Sequence, residues 1–290
     1  MQDLPANATQ FLADAEAIAA QIPDGAFLAL PPDYSLVAME VVRALVRRRA
    51  RELRLLGVPV LGFCAELLIG AGCVAEVETS ALSLGEAGLA PRFTEAAQSG
   101  ALRVTNSTCP MVHGGLQASE KGVPFMPLRG VIGSDLVAQR ADWRTIQNPL
   151  SEAPDPILLA SAIQPDVALF HARWADRTGN VWIGRRRELA TIAHAAQRTY
   201  VTCEALRDGD MLADELLAPG VLSSVYVTGI ARAVRGAWPL GVADLYPIDD
   251  AHLLQYALAA RSREGFARYL EEYVWPAPRA KSSSPAASPA

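Results

Sequence analysis

Short apolar runs alternate with stretches of helical period along most of this chain, and that alternation narrows the fold more than any single motif does. Residues 26–30 read as a buried strand, closed by the turn residues Pro31, Pro32 and Asp33. From Ser35 the period changes. Ala38, Val41, Val42 and Leu45 fall at i, i+3, i+4 and i+7, which predicts a helix over one face of a sheet, with Asp33 or Ser35 as its cap. Ahead of them, residues 8–22 read as an alanine-rich amphipathic helix. The alternation continues through apolar stretches at 53–56, 66–72 and 74–79, a helix at 91–98 and an extended segment at 102–104. Parallel strands need crossover connections, usually helices, so this order predicts an α/β fold.

A second apolar series follows Pro156: residues 157–163, 167–170 and 181–183, a helix at 187–196, then a strand at 200–203. Two consecutive strands with a short connection imply a local antiparallel pair within the sheet. Helices at 251–260 and 263–274 end the pattern, the second with Phe266, Tyr269, Leu270 and Tyr273 on one stripe. The expected architecture is an open three-layer α/β sandwich with a mainly parallel, partly mixed sheet. It forms one domain over residues 1–274, with 275–290 as a disordered tail that has almost nothing to bury.

Composition excludes several classes of function. The chain has 290 residues, 51% of them hydrophobic, enough to bury a large core. Its net charge of −5 gives no general attraction to nucleic acid or an anionic membrane. The run Arg47, Arg48, Arg49, Arg51 and Arg54 reads as the solvated end of a helix, where cations complement the dipole. Cys64, Cys73, Cys109 and Cys203 form no CxxC pair, so no metal site is expected and the thiols read as reduced and mostly buried. The acidic N-terminus does not look like a secretory signal, and no stretch is apolar for long enough to span a bilayer. The cytoplasm is the expected location.

No GxSxG, Walker loop, GxGxxG or HExxH is present. Four longer phrases stand out instead: LLIGAGCVAEVETSALSLGEAGLAPRFTEAAQSGAL at 67–102, GVPFMPLRGVIGSDL at 122–136, QPDVALFHARWADRTGNVWIG at 164–184 and REGFARYLEEYV at 263–274. In this order they resemble the A (alpha) chain of family I coenzyme A transferases of the glutaconate type. The resemblance covers residues 24–274, and the second phrase is its most specific part. It reads as a strand at 123–126 leading to a loop with Arg129, Gly130, Gly133, Ser134 and Asp135.

The resemblance implies that the nucleophilic glutamate lies on a partner B subunit in a heterodimer or heterotetramer, so no catalytic residue is expected in this chain. It implies coenzyme A thioester as a substrate, with no permanently bound cofactor. Substrate contacts are expected from Thr105, Asn106, Ser107, His113, Arg129, Gly133 and Ser134. Two departures qualify this. The loop Leu30, Pro31, Pro32, Asp33, Tyr34 replaces a glycine-rich turn and makes a poor oxyanion hole, because proline lacks an N–H. Arg103, Val104, Thr105 and Asn106 stand where relatives often read Glu-Val-Glu-Glu, so an acidic group is missing there.

His113 also fits a histidine bonded to backbone near a helix start, and His171 and Glu204 read as structural hydrogen-bonding groups. Asp176, Gly179 and Asn180 read as a tight hairpin. Ser134 and Asp135 are turn chemistry rather than a nucleophile and base. Two alternatives to CoA transfer are a CoA-thioester or ring-opening hydrolase on the same scaffold, which the missing acid disfavours, and a non-catalytic ligand-binding or assembly subunit, which the Pro31–Pro32 loop favours.

Overall fold

The computed structural model describes residues 9–275, so the tail expected at 275–290 lies outside them apart from Trp275. In chain order the elements are β1 (Gln10–Leu12), α1 (Ala15–Gln21), β2 (Phe27–Leu30), α2 (Met39–Arg47), β3 (Leu53–Gly57), α3 (Phe63–Gly70), β4 (Val74–Thr79), α4 (Pro91–Gln98) and β5 (Arg103–Asn106). Then come α5 (Cys109–Glu120), β6 (Phe125–Leu128), α6 (Asp135–Gln139), β7 (Arg144–Gln147), β8 (Pro156–Ser161), β9 (Val167–Asp176) and β10 (Val181–Trp182). The chain continues through α7 (Arg187–Ala195), β11 (Arg198–Arg207), β12 (Val221–Leu222), β13 (Gly229–Arg232), α8 (Asp250–Ala259) and α9 (Arg263–Tyr273).

The strands β1-β13-β11-β9-β2-β3-β4-β5 lie side by side in that order, every pairing among them parallel. β10 runs antiparallel to both β9 and β12, which makes the sheet mixed, as the sequence predicts. Alternate residues of the central strands feed opposite faces. Leu28, Leu30, Val167 and Leu169 belong to one apolar cluster with α1, α2, α3, α8 and α9. Ala29, Ala168, Phe170 and Val201 belong to the other, with α5 and α7. A strand buried on both faces reads as a continuous apolar run, which is why β2, β3 and β9 are legible in sequence.

Four features differ from the sequence reading. Residues 66–70 are helical: α3 buries Phe63 through Ile69 on all sides, so it carries no amphipathic period to distinguish it from a strand. Residues 8–22 split into β1 and α1, because Asp14 accepts from Ala17 N at 2.8 Å and starts the helix there. The strand expected at 123–126 lies at Phe125–Leu128, and together with β8 and β7 it forms a separate antiparallel sheet in the order β6-β8-β7. That small sheet packs on α5 through Met111, Trp143, Leu158 and Ala160. Its close approach explains two glycines inside a helix: a Cβ on Gly114 would meet Leu128 at 2.8 Å, and one on Gly115 would meet Ile163 at 2.6 Å.

The fourth difference concerns caps. α2 begins at Met39 with no side-chain cap. Asp33 instead accepts from Phe63 N at 2.8 and 3.1 Å and closes the start of α3. A Cβ on Gly62 would collide with the Asp33 carboxylate, so residue 62 has to be glycine for this clamp to form. Glu66 does the same for α4. Fully buried, it accepts from Arg92 N and Phe93 N at 2.8 Å each and from the Tyr256 hydroxyl at 3.2 Å. The arginine run is engaged as well: Arg47 pairs with Glu16 and Glu40, Arg48 with Asp24, and Arg54 with Glu76.

Both caps can be tested through stability. Glu66→Ala leaves two buried N–H groups unpaired and should cost about 2–4 kcal/mol, read as a lower urea midpoint at unchanged slope. Burial pushes the Asp33 carboxyl up to about 6, against the opposing pull of the Phe63 and Cys64 N–H groups. The folded chain therefore holds a proton there that the unfolded chain releases between about pH 4 and 6, so this carboxyl lowers stability as pH rises through that window. Asp33→Asn keeps an acceptor for Phe63 N and removes the titration. Relative to the wild type, the variant should gain roughly 2 kcal/mol of stability between about pH 4.5 and pH 7, in urea unfolding at the two pH values.

Candidate active site at the carboxyl edge of the sheet

Because every pairing in the main path is parallel, the loops that leave β2, β3, β4 and β5 emerge at one edge. β2 is the point where chain order reverses, with β3 on one side and β9 on the other. Ligands of open α/β sheets bind outside the carboxyl ends of strands at such a reversal. Here the edge carries an apolar cleft on one side of the loop after β2 and a polar group on the other.

The cleft has a volume of about 580 Å³ and is walled by the loops after β2, β3 and β4 and by the start of α8. Pro32, Asp33 and Tyr34 form part of its lining, so the loop that lacks the expected glycines still faces it. Its walls include Leu61, Leu84, Leu253 and Leu254, with Glu86 and Asp250 at other points of the lining.

On the other side, Ser35 donates its hydroxyl to Glu188 at the start of α7. Tyr34 is exposed; desolvation pushes its hydroxyl up and the nearby Glu188 carboxylate adds to this, with Cys109 of the first turn of α5 on the same side. His113, one turn further along α5, is half-buried; desolvation pushes its pKa down, and Glu188 only partly opposes this. The imidazole is therefore neutral at pH 7 and can donate one hydrogen bond and accept another. Tyr34, Ser35, Cys109, His113 and Glu188 thus surround the reversal point. Of these, His113 alone is a substrate contact expected from sequence, because the others are brought in by separate elements.

At the end of β5, Thr105 donates to Glu76 at 3.2 Å, and the Asn106 carbonyl accepts from Arg140 at 3.0 Å. Ser107 N donates to the Thr79 carbonyl at 3.1 Å. The hydroxyls of Ser107 and Thr108 are buried and have no hydrogen-bond partner among the described residues. Both stand at the start of α5, where Thr108 makes no side-chain cap; Pro110 has no N–H, so the first-turn donors without an intrahelical acceptor are the N–H groups of Cys109 and Met111.

The acid missing from β5 has a neighbour that reading along the chain does not reveal. Glu78 on β4 lies in register with Thr105, and Glu76 with Arg103. Glu78 sits 2.8 Å from Arg140 and beside Ser107; desolvation pushes its carboxyl up, against the pull of Arg140.

Arg129, Gly133 and Ser134 lie apart from the cleft, on the small sheet and the loop that follows it. Arg129 makes a paired contact with Asp155 at 3.1 and 2.7 Å. Gly133 turns the chain at φ +85°, and Ser134 donates to the Val131 carbonyl at 2.7 Å and starts α6. Gly130 faces Pro110, so this loop lies over the first turn of α5.

The remaining groups make structural networks. His171 is fully buried between Thr202 at 2.8 Å and Glu204 at 3.0 Å, and Glu204 also accepts from Arg235 N and the Tyr246 hydroxyl. Asp176 accepts from Thr178, Asn180 and Met211 N, fixing the β9–β10 hairpin. Cys64, Cys73 and Cys203 are buried, whereas Cys109 is exposed. Among the described residues no group of three or more His, Cys, Asp and Glu is placed to hold a metal, and no helix is long and apolar enough to cross a membrane.

Comparison with known proteins places this architecture. The A chain of the 3-oxoadipate CoA-transferase of Pseudomonas knackmussii is 28% identical over 89% of this chain and 91% of its own length. The cholesterol ring-cleaving hydrolase IpdA subunit of Rhodococcus jostii is 28% identical over 81% of this chain and 82% of its own. A protein of Archaeoglobus fulgidus is 29% identical over 90% of this chain, which spans 58% of that protein's length. Glutaconate coenzyme A-transferase from Acidaminococcus fermentans shares the fold, with a TM-score of 0.84 at 22% identity over 93% of this chain and 90% of that one. A variant of the decarboxylase AibA/AibB superposes with a TM-score of 0.77 at 29% identity over 91% of this chain and all of the matched one. The family profile described as Coenzyme A transferase matches residues 12–225. With the fold, the carboxyl-edge site and this match in agreement, the chain belongs to the coenzyme A transferase family.

Proposed function

We propose that this chain is the A (alpha) component of a two-component CoA transferase, which moves CoA between an acyl-CoA and a carboxylic acid in the cytoplasm. A B-type subunit seats over the carboxyl edge of the sheet and supplies the glutamate nucleophile. The observation that carries the proposal is the state of the carboxylates around the reversal point. Asp33 is clamped by Phe63 N, Glu78 is paired with Arg140, and Glu188 accepts from Ser35. Each is committed within the chain, while Glu86 and Asp250 are solvent-exposed and lack the desolvated setting that activates a nucleophile.

The implied reaction runs in balanced steps. The partner's glutamate attacks the thioester carbonyl and the CoA thiolate leaves, giving a mixed anhydride. The thiolate then attacks the glutamyl carbonyl, releasing the acyl group as a carboxylate and leaving a glutamyl-CoA thioester. A second carboxylate reverses both steps and departs as the new acyl-CoA. This chain contributes a wall and hydrogen-bond donors. The hydroxyls of Ser107 and Thr108 and the first-turn N–H groups of α5 suit the oxyanion or the incoming carboxylate, with Thr105, Asn106 and neutral His113 beside them. Arg129, Gly133 and Ser134 hold the loop over α5 and serve substrate through it. Binding energy from the CoA moiety, remote from the carbonyl, orients and desolvates the reacting group.

A second reading, hydrolysis of a CoA thioester or a ring ketone, draws on Glu78, whose carboxyl is partly desolvated beside Ser107. Its ion pair with Arg140 keeps it engaged within the chain, which favours transfer. The two differ in whether CoA is released without an acceptor acid.

The test is to trap the intermediate. The complex of this chain with a B-type subunit is incubated with acyl-CoA, reduced with borohydride and digested for mass spectrometry. The expected result is a reduced glutamyl residue on the partner and none on this chain, with CoA transfer dependent on an added carboxylate. A modified carboxylate on this chain, or CoA release at full rate without acceptor, contradicts the proposal.

A further inference from the structure

The cleft beside Asp33 has a charge pattern that the transfer reaction does not by itself require. Its apolar wall comes from three separate segments: Val60 and Leu61 after β3, Leu84 after β4, and Ile248, Leu253 and Leu254 at and just ahead of the start of α8. Among the described residues no Lys, Arg or His lines it; the charged groups in its lining are Asp33, Glu86 and Asp250, all acidic. At about 580 Å³ it falls within the usual size of a small-molecule site.

We infer that this cleft is the acyl subsite and that it takes the uncharged hydrocarbon chain of a monocarboxylic acyl group while rejecting acyl groups that carry a second carboxylate. The inference rests on the transferase reading above and adds the substrate class. A distal carboxylate entering the cleft loses its hydration, and its cost is recovered only by a cation or an array of donors. The cleft offers neither. The neutral polar side chains in its lining are the hydroxyls of Tyr34 and Ser83, two separate O–H groups on different loops rather than an array. Asp33 lies in the lining with its acceptor atoms engaged by α3, so an incoming carboxylate also meets a like charge.

Specificity of this kind comes from a repulsive element as well as an attractive one, and both are present. An alkyl chain meets the opposite balance, since each methylene withdrawn from water onto this wall favours binding. Tyr34 lies in the lining and next to the polar group at α5. A chain in the cleft therefore leads its carbonyl past Tyr34 toward the donors at the start of α5. Relatives named for 3-oxoadipate and glutaconate act on dicarboxylates by those names. This chain diverges from them in substrate class while keeping the scaffold.

The experiment is equilibrium binding of acyl-CoAs to the complex of this chain with its B-type subunit, measured by titration calorimetry. Valeryl-CoA and glutaryl-CoA form the central pair, because they have the same chain length and differ by a terminal carboxylate. Butyryl-, hexanoyl- and octanoyl-CoA form the length series. The expected result is roughly fourfold tighter binding per added methylene, the equivalent of about 0.8 kcal/mol for a buried CH₂, with glutaryl-CoA at least tenfold weaker than valeryl-CoA. Leu254→Arg places a cation at the cleft on a half-exposed helical position that tolerates a polar side chain. It should narrow or reverse the valeryl-to-glutaryl ratio. Equal affinity for valeryl- and glutaryl-CoA, or a ratio unmoved by Leu254→Arg, overturns the subsite assignment and leaves the CoA reading intact. Binding of no acyl-CoA by the folded complex overturns both.

Discussion

β2 pairs in parallel with β3 on one side and with β9 on the other, and the rest of the molecule is arranged around that double pairing. It sets the reversal of chain order in the middle of the sheet. The loop after β2 is therefore flanked by loops from both halves of the chain. The clamp from Asp33 to the start of α3 then fixes this loop in place, and Gly62 makes room for it. An apolar cleft opens on one side of the clamp and a polar group on the other. Loops alone would not hold these two environments a few residues apart. The parallel sheet supplies the common edge, and the buried carboxylate supplies the fixed point.

Electrostatics at this edge follow from burial more than from net charge. The chain is only mildly acidic overall, yet the carboxylates Asp33, Glu78 and Glu188 around the reversal point are each paired within the chain. Asp33 and Glu78 are pushed up by burial while N–H groups or a guanidinium hold them back, and His113 is pushed down into its neutral form. A site built this way can bind and orient a substrate, with the exposed thiol of Cys109 in the first turn of α5 beside it. The two hydroxyls left unpartnered at the start of α5 are the complementary observation, since buried polar atoms without partners are rare in a finished interior.

Much of the fold is legible in sequence because its signals are local. The helix starting at Pro91 matches its expected bounds at both ends, since proline suits the first turn and the apolar residues keep a helical period. The β9–β10 hairpin is legible from Asp176, Gly179 and Asn180 for the same reason. α3 is not, because a helix buried on all sides has no period. The small sheet escapes a linear reading because β6 pairs with β8 across the intervening α6 and β7, and the exposed strand β7 has no apolar run to mark it. The site divides in the same way. Ser107, Asn106 and His113 sit on or beside one helix start and can be found by reading along the chain. Glu78 enters through strand register and Glu188 through the packing of α7, and neither signal exists in a linear sequence. The arginine and serine of the GVPFMPLRGVIGSDL phrase are engaged in holding their own loop, although the phrase itself marks the family.

On the proposed reading, the carboxyl edge of the sheet is the face where this chain meets its partner and its substrate. Amide hydrogen exchange of the chain, alone and with its B-type subunit, tests this most directly. Exchange should slow at the loops after β2, β4 and β5 and in the first turn of α5, with the opposite edge of the sheet unchanged. Protection confined to the opposite edge, or no protection at the loop holding Asp33 and Tyr34 in a formed complex, would contradict it.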